Sequence, residues 1–282
     1  MDTKEFIENI EYLQLPELTS KVALEAFERR TKYYLDLAAR AYEGVYSTFP
    51  IRHVRPLDRI VTWVVLLTEV RQRYIDKGIP EDVIQATFDD VALLAGIYEK
   101  NHGRPGLTQI DAGWFRHMYN CHIFKLGAMQ FQLDKMSYPA RMPLIDPEQL
   151  NKLPAGTPTI AMHIQEGTDM SEDAITNSIN LANEFFPRYF PDYQPKVYTA
   201  SSWLLYPGLQ ELLPPHSKIL SFAARFTLVG SIQDPYGSDS VKIIFGKRYK
   251  RKSDYPQNTS LQRKALHNFS KLGISLGTIE FP

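Results

Sequence analysis

The sequence predicts an α/β protein in which a helical N-terminal region is followed by a domain built on a mixed sheet. Up to His102, apolar residues recur at intervals of three and four, the period of a helix packed on one face. From about residue 110 onward, segments with two-residue alternation are interleaved with helical segments, as in a mixed α/β sheet. The loop Asn101–Gly106 separates the two patterns, so we expect a helical domain over residues 1–106 and a sheet domain over 107–282.

Length and composition limit the classes of function. A chain of 282 residues with 44% apolar residues is long enough for two packed domains. Lys plus Arg and Asp plus Glu both number 32, which argues against a nucleic-acid partner because such proteins usually carry a basic excess. The longest apolar stretch, Ile60–Leu67, is less than half of the ~20 residues that cross a membrane, so no membrane partner is expected. The single cysteine, Cys121, and an N-terminus without signal-peptide features predict a cytoplasmic location.

The N-terminal region is predicted to be helical throughout. One helix is expected over Lys21–Tyr42 and a second, strongly apolar one over Leu57–Tyr74. Gly78 stops the second helix, and Pro80 stands where a third begins. The third helix has apolar residues at the spacing of one helix face, namely Ile84, Phe88, Val91, Ala95 and Tyr98.

Strands and helices alternate in the C-terminal region. Residues 127–133 alternate between apolar and more polar side chains, which predicts a strand with Gln130 on its polar face, in a cleft or in solvent. Thr159–Ile164 is predicted as a second strand and Ser171–Phe186 as a helix with Ser171 as its N-cap. Lys196–Trp203 is predicted as a third strand.

The rest of the chain is predicted to add helices and a final strand. The elements are the short helices Pro207–Leu213 and Ile219–Leu228, the β-like segment Val241–Phe245, a helix introduced by the capping box Thr259–Gln262, and the strand Ser275–Phe281.

Short segments spread over nearly the whole chain carry a resemblance. They are Ala86–Asp90, Gly103–Leu107, Lys125–Phe131, His163–Gly167, Ser202–Leu205, Pro214–Ile219, Arg225–Phe226 and Thr259–Arg263. In order and spacing they resemble a bacterial family of acyltransferase domain-containing proteins. The resemblance implies an N-acyltransferase N-terminal domain followed by a GNAT-like mixed α/β sheet domain. It also implies an acyl-CoA-dependent N-acyltransferase, in which acyl-CoA is the co-substrate and the amine acceptor is a small molecule.

The resemblance also implies where the site lies. GNAT-like folds place the thioester at a splay between two central parallel strands, which here would be Thr159–Ile164 and Lys196–Trp203. The pyrophosphate would lie at the loop Gln165–Met170 and the start of the next helix. Acyl transfer needs a polarised thioester carbonyl, a base for the amine and a proton donor for the thiolate.

These requirements select the candidate residues. His163 or Glu166 would be the base, and Tyr206 or Ser202 the acid or the thiolate partner. Backbone N–H groups near Ile164 would polarise the carbonyl. Ile164, Gln165, Gly167 and Arg225 are the candidates for cofactor binding, and Gln130, Tyr198 and Arg263 are those for substrate binding.

An acidic loop supports an alternative function. The segment Gln165–Asp169 has a single glycine, whereas the usual phosphate loop of the GNAT fold is glycine-rich. Carboxylates surround the start of the following helix, namely Glu166, Asp169, Glu172 and Asp173. They suit the helix dipole but repel a pyrophosphate. The alternative is therefore a non-catalytic small-ligand-binding or regulatory module that retains the fold without a working CoA loop.

Several candidates also have a structural interpretation. His163 is equally well explained as a hydrogen-bonded structural histidine and Tyr206 as a side chain packed beside Pro207. Ion pairs would account for Arg225 and Arg263. These alternatives stay open at the level of sequence.

Three further features of the sequence concern metal binding, a basic segment and dimerisation. His117 and His122 are five residues apart and Cys pairs are lacking, so metal binding is not expected. Lys247–Lys252 is a basic segment, by default a charged surface loop. A third hypothesis has the helical region dimerise, which an exposed apolar face on Leu57–Tyr74 would favour.

Overall fold

The computed structural model describes residues 1–42, 54–233, 239–247 and 249–282. These residues form two compact units, Met1–Leu126 and Gly127–Pro282, which we call the helical unit and the sheet unit. A helical region followed by a mixed sheet is the predicted fold class, which the structure confirms. The loop at which we expected the domain boundary ends a long helix within the helical unit.

The described residues of the helical unit form helices and one short strand. They are α1 (Thr3–Leu13), α2 (Glu17–Arg29), α3 (Thr31–Ala38), α4 (Pro56–Asp76), α5 (Glu81–His102), α6 (Gln109–Trp114), α7 (Arg116–Tyr119) and β1 (Ile123–Leu126). The single helix expected over Lys21–Tyr42 is wrong, because the backbone of Arg30 leaves the helical region (φ −141°, ψ 35°) and separates α2 from α3. Gly103 ends α5 in the left-handed conformation, as its position after the periodic residues predicted.

Helix α4 lies at the centre of the helical unit. Most of its apolar side chains are buried, namely Ile60, Val61, Trp63, Val64, Leu66, Leu67, Val70 and Tyr74, whereas Ile75 near its end is 40% exposed. The dimerisation hypothesis rested on an exposed apolar face of this helix, and the described residues of α4 do not provide one. None of the helices in the described ranges is long and apolar enough to span a membrane.

Among the described residues, the sheet unit contains five strands and five α-helices. The strands are β2 (Met129–Lys135), β3 (Pro158–His163), β4 (Val197–Ser202), β5 (Thr227–Gln233) and β6 (Gly273–Glu280), in the spatial order β2-β3-β4-β6-β5. The helices are α8 (Gln149–Lys152), α9 (Glu172–Tyr189), α10 (Lys218–Ala223), α11 (Asp239–Phe245) and α12 (Ser260–His267). Strands β3 and β4 are parallel, and the other pairs are antiparallel.

Helix α9 covers one face of this sheet, which we call the helix face. The Phe131 ring lies 6.5 Å from Phe186 of α9 and 5.8 Å from Tyr198 of β4. The Tyr198 hydroxyl donates to Asn183 Oδ1 of α9 at 2.6 Å. Since side chains alternate along each strand, the residues next to these in sequence point to the opposite face, which we call the cavity face.

The sheet unit has a second cluster of buried apolar residues, formed partly by α11 and α12. Two predictions for this part of the chain are wrong. Val241–Phe245 is not a strand but part of α11, whose Val241, Ile244 and Phe245 pack in this core at helical spacing. The helix expected over Ile219–Leu228 is also wrong at its end, because α10 stops at Ala223 and β5 begins at Thr227. The capping box of α12 is present, with Thr259 and Gln262 bonding to each other's backbone N–H groups.

Candidate active site

The central strands of the sheet part at their carboxyl ends. Parallel pairs join Thr159 to Val197 and Ala161 to Thr199. Beyond Ala161 and Thr199, the described residues of β3 and β4 no longer pair with each other. Strand β3 still pairs with β2 as far as His163, and β4 still pairs with β6 as far as Ser202. The edges that face each other at this splay are therefore not joined by the ladder. This is the geometry that the sequence-based site required.

A cavity of about 180 Å³ lies at the splay on the cavity face. Its walls come from β2 and the segment after it, from β3, from β4 and from β6, namely Asp134, Lys135, Met136, Ser137, Pro139, Ala161, Met162, His163, Thr199, Ser201 and Leu276. Pockets for whole drug-sized ligands measure ~300–1,000 Å³. The cavity is thus large enough for a reacting group and its immediate neighbours, but not for an entire cofactor.

His163 stands at the end of β3 and lines this cavity. Its Nε2 atom lies 2.9 Å from Oε1 of Gln132 on the neighbouring strand β2. Gln132 is buried, with 7% of its surface exposed, whereas His163 is half-buried. An imidazole at a cavity wall, held by a neutral amide, is suited to exchanging a proton with a bound group.

The structure does not bring His163 and Ser202 together. Ala161 is paired with Thr199, so the face that carries His163 carries Thr199 and Ser201 on β4. Ser202 points to the helix face and its Oγ accepts a hydrogen bond from Leu204 N at 3.2 Å, which caps a short 3-10 helix. The expectation of a shared pocket for His163 and Ser202 is therefore wrong, and the neighbouring Ser201 takes the place beside the cavity.

Two of the candidate substrate-binding residues also lie on different faces. Tyr198 is fully buried on the helix face beneath α9, where burial raises the pKa of its phenol well above the usual range, so it does not reach the cavity. Gln130 is 1% exposed and paired with His163 across β2 and β3, which places it on the cavity face. The solvent-facing position that we considered for Gln130 is wrong. Its Nε2 atom has no hydrogen-bond partner in the described structure.

The acidic loop after β3 is compensated by cations. Asp169 accepts hydrogen bonds from the backbone N–H and the hydroxyl of Ser171 at 2.9 Å each, and Lys218 Nζ lies 3.4 Å from its Oδ1. The backbone hydrogen bond first, then the hydroxyl and Lys218, lower the pKa of Asp169. Arg225 lies 3.6 Å from Glu172 Oε1. The repulsion expected for a pyrophosphate here is consequently weaker than the sequence indicated.

Comparison with known proteins identifies the family. Residues 123–278 match the model of the GNAT-like C-terminal domain, and residues 1–121 match that of the N-acyltransferase N-terminal domain. The chain belongs to the GNAT-like C-terminal domain family. This confirms the resemblance that the short segments carried. No curated protein matches the chain in sequence.

Several solved structures share this fold. The chain superimposes on an acyltransferase in complex with decanoyl-CoA and teicoplanin with a TM-score of 0.76, at 21% identity, over 97% of this chain and 86% of that one. An acyltransferase variant in complex with octanoyl-CoA gives a TM-score of 0.77 at 22% identity, over 99% and 88% of the two chains. A complex with CoA and 10C-teicoplanin gives 0.76 at 21% identity, over 97% and 86%.

Three further candidates lie outside the cavity of the GNAT-like domain. Tyr206 packs against Gly208 and Gly273. Arg225 also donates to Thr176 Oγ1 at 2.9 Å, so its ion pair anchors it to α9. Arg263 is exposed on α12 and donates to the backbone oxygen of Gln257 at 2.8 Å.

The loop residues proposed for cofactor binding lie together at the end of β3. Ile164 and Gln165 are half-buried, while Glu166 and Gly167 are exposed. Gly167 has a positive φ of 82°, and the loop is closed by a hydrogen bond from Thr168 N to Gln165 O at 3.2 Å. The loop thus forms a turn that leads directly to the N-cap Ser171 of α9.

Sequence reasoning missed Gln132 and could not choose Ser201 over Ser202, because either hydroxyl was a candidate for binding the substrate or the CoA sulfur. Both follow from one piece of information, the pairing of β3 with its two neighbours, because that register decides which side chains share a face with His163. The described residues contain no group of three or more His, Cys, Asp or Glu side chains arranged to hold a metal ion.

Proposed function

We propose that this protein is an acyl-CoA-dependent N-acyltransferase whose acceptor is a small-molecule amine. The observation that carries the proposal is the cavity between the parted ends of β3 and β4, with His163 in its wall. A thioester laid between the two strands would bring its carbonyl carbon into this cavity. The fold shared with acyltransferases that bind decanoyl-CoA and octanoyl-CoA supports the choice of co-substrate.

His163 would act as the general base. The lone pair of the acceptor nitrogen attacks the thioester carbonyl carbon, and a tetrahedral intermediate forms. His163 takes the proton that the nitrogen loses, the C–S bond breaks, and CoA leaves as the thiolate. Glu166, exposed in the loop that follows, is the alternative base, but it is not part of the cavity wall in the described structure.

The remaining roles fall to groups near the splay. We propose backbone N–H groups near Ile164 as donors to the developing oxyanion and the Ser201 hydroxyl as a donor to the thioester. Gln130 would bind the acceptor, which is supported by its buried, unpartnered amide on the cavity face. Tyr206 remains a candidate for protonating the thiolate, although reaching it would require the ring to leave its packing against Gly273.

The pyrophosphate would lie on the loop after β3. Gln165 and Gly167 would present backbone N–H groups, and the N-terminus of the long helix α9 adds the positive end of its dipole. Lys218 and Arg225 border this loop and already offset Asp169 and Glu172. The residues present therefore fit an anionic group better than the loop sequence alone suggests. We also propose a cytoplasmic location, where acyl-CoA is available to the enzyme.

The test combines binding with turnover. Calorimetric titration with CoA, acetyl-CoA, octanoyl-CoA and decanoyl-CoA should show binding, and release of free CoA thiol in the presence of a panel of primary amines should identify acceptors. The absence of binding by every one of these thioesters would overturn the proposal. Binding without thiol release for any amine would favour the alternative, a ligand-binding module of the same fold.

A further inference from the structure

Beside the cavity, a buried amide holds the imidazole that we propose as the base. Gln132 Oε1 lies 2.9 Å from His163 Nε2, and Gln132 is 7% exposed. The two residues stand on adjacent antiparallel strands and on the same face, since Gln130 is paired with His163 and Gln132 with Ala161. The contact is thus diagonal across the β2–β3 ladder, and strand pairing fixes both backbones.

An amide oxygen accepts hydrogen bonds and does not donate them. With Oε1 facing the ring, Nε2 must carry the proton, so in the neutral ring Nδ1 is the basic nitrogen. Because a neutral amide brings no charge, it orients the ring without stabilising the imidazolium as strongly as a carboxylate would. We propose that Gln132 is a positioning residue, which holds His163 as the Nε2–H tautomer and so makes Nδ1 the proton acceptor in acyl transfer.

The charges around His163 bear on any pH profile. The cavity wall includes Asp134 and Lys135 on β2, while β3, β4 and β6 contribute Ala161, Met162, Thr199, Ser201 and Leu276, none of which titrates. Glu166 follows in the exposed loop. Variants of Gln132 leave Asp134, Lys135 and Glu166 in place, so a change in the titration of His163 reports on the amide itself.

The proposal rests on the proposed function for its catalytic meaning, but its central claim is tested without turnover. Nitrogen-15 NMR of the histidine-labelled protein, with the His163 signals assigned from their loss in His163→Gln, reports which ring nitrogen carries the proton. We expect Nε2–H in the unchanged protein. We expect a mixture of both tautomers in Gln132→Met, a variant close to Gln in shape but without the amide oxygen.

A charge variant separates positioning from packing. In Gln132→Glu the carboxylate favours the imidazolium, so the titration midpoint of His163 should rise by about one pH unit or more. If acyl transfer is established, the acidic limb of its pH–rate profile should move upward equally. In Gln132→Met, kcat should fall about tenfold at unchanged KM for acyl-CoA, since the ring is no longer held in its orientation and part of the population adopts the other tautomer. Gln194→Glu, an exposed site with the same charge change, should alter neither quantity.

Three outcomes would overturn the inference. An Nδ1–H tautomer in the unchanged protein would mean that the amide faces the ring with its nitrogen. A tautomer that is identical in Gln132→Met would mean that other contacts hold the ring. If the titration midpoint of His163 is the same in Gln132→Glu as in the unchanged protein, the side chains at positions 132 and 163 are not in contact. Should these NMR results be as expected while no acyl transfer is found, the proposed function fails and the role of Gln132 in orienting the ring stands.

Discussion

The helical unit and the sheet unit employ their buried polar groups differently. In the helical unit these groups join helices. Asn9 Nδ2 donates to the backbone oxygen of Val64 at 2.9 Å, and the Tyr34 hydroxyl donates to the buried Asp58 at 2.8 Å. Tyr74, at the end of α4, donates to Ile123 O of β1 at 3.0 Å. Each bond ties together segments that are distant in sequence, so these polar groups serve the packing of the unit.

On the cavity face of the sheet unit, two buried polar side chains have atoms without a hydrogen-bond partner within the described structure. Gln130 Nε2 and Thr159 Oγ1 are buried and have no hydrogen-bond partner within the described structure, and both lie on the face of His163. Leaving such a group unpaired costs about 1–3 kcal/mol. The helical unit has a comparable atom in Trp63 Nε1, but it lies in an aromatic core rather than beside a cavity with a titratable side chain. This difference supports our proposal that the chemistry takes place in the sheet unit.

The largest expected effect contrasts one histidine from each unit. His163→Gln should lower the rate of CoA release about 10²–10⁴-fold, the usual contribution of a general base, while acyl-CoA affinity changes little. His117→Gln, in the helical unit, should leave the rate within twofold of the parent protein. Steady-state kinetics with a responsive amine measure both variants. An unchanged rate in His163→Gln would mean that the catalytic base is another group, with Glu166 the next to test.

Local sequence patterns were enough to predict the β3–α9–β4 part of the fold. A short apolar strand, a Ser171 N-cap and a helical apolar face are all encoded within a few residues, and the structure confirms them. The capping box of α12 is equally local and equally correct. Val241–Phe245 shows the limit, because its β-branched residues favoured a strand. The i, i+3, i+4 spacing of Val241, Ile244 and Phe245 was the signal for the helix that forms.

The site was predictable only in part, because its membership depends on strand register. His163 could be assigned to the end of β3 from sequence. Whether Ser201 or Ser202 shares its face follows from the pairing of Ala161 with Thr199, which is a non-local contact. The same holds for Gln132, which belongs to a strand about thirty residues earlier in the chain and faces His163 through the β2–β3 pairing.

A second, smaller effect compares one glycine from each unit. A Cβ on Gly273 of β6 would lie 2.4 Å from Ile232 O and 2.5 Å from Tyr206 Cε2, so Gly273→Ala should cost about 1–3 kcal/mol of stability. Gly113 in α6 has open space around its Cβ position, and Gly113→Ala should stabilise the helical unit by roughly 1 kcal/mol through helix propensity. Chemical denaturation measures both. If Gly273→Ala leaves the free energy of unfolding unchanged, the backbone of β5 and β6 can shift at little cost and the Tyr206 ring can move.

The smallest expected effect concerns the pH dependence of the helical unit. Burial, assisted by the charges of Arg116 and His122, lowers the pKa of His117 to about 4 from an ordinary value near 6.5. Between these values the unfolded chain binds a proton that the folded unit does not, so stability is complete above about pH 6.5 and declines as the pH falls towards 4.

His117→Gln removes this linkage and should flatten the dependence of Tm on pH between 7 and 5. His216→Gln, at an exposed position of the sheet unit, is the matched control and should leave the slope as it is. An equal slope in His117→Gln and the parent protein would show that His117 is accessible to protons in the folded state. In that case His117 would not be a packed, uncharged histidine, and the contrast between the two units would depend only on the position of His163 at the cavity.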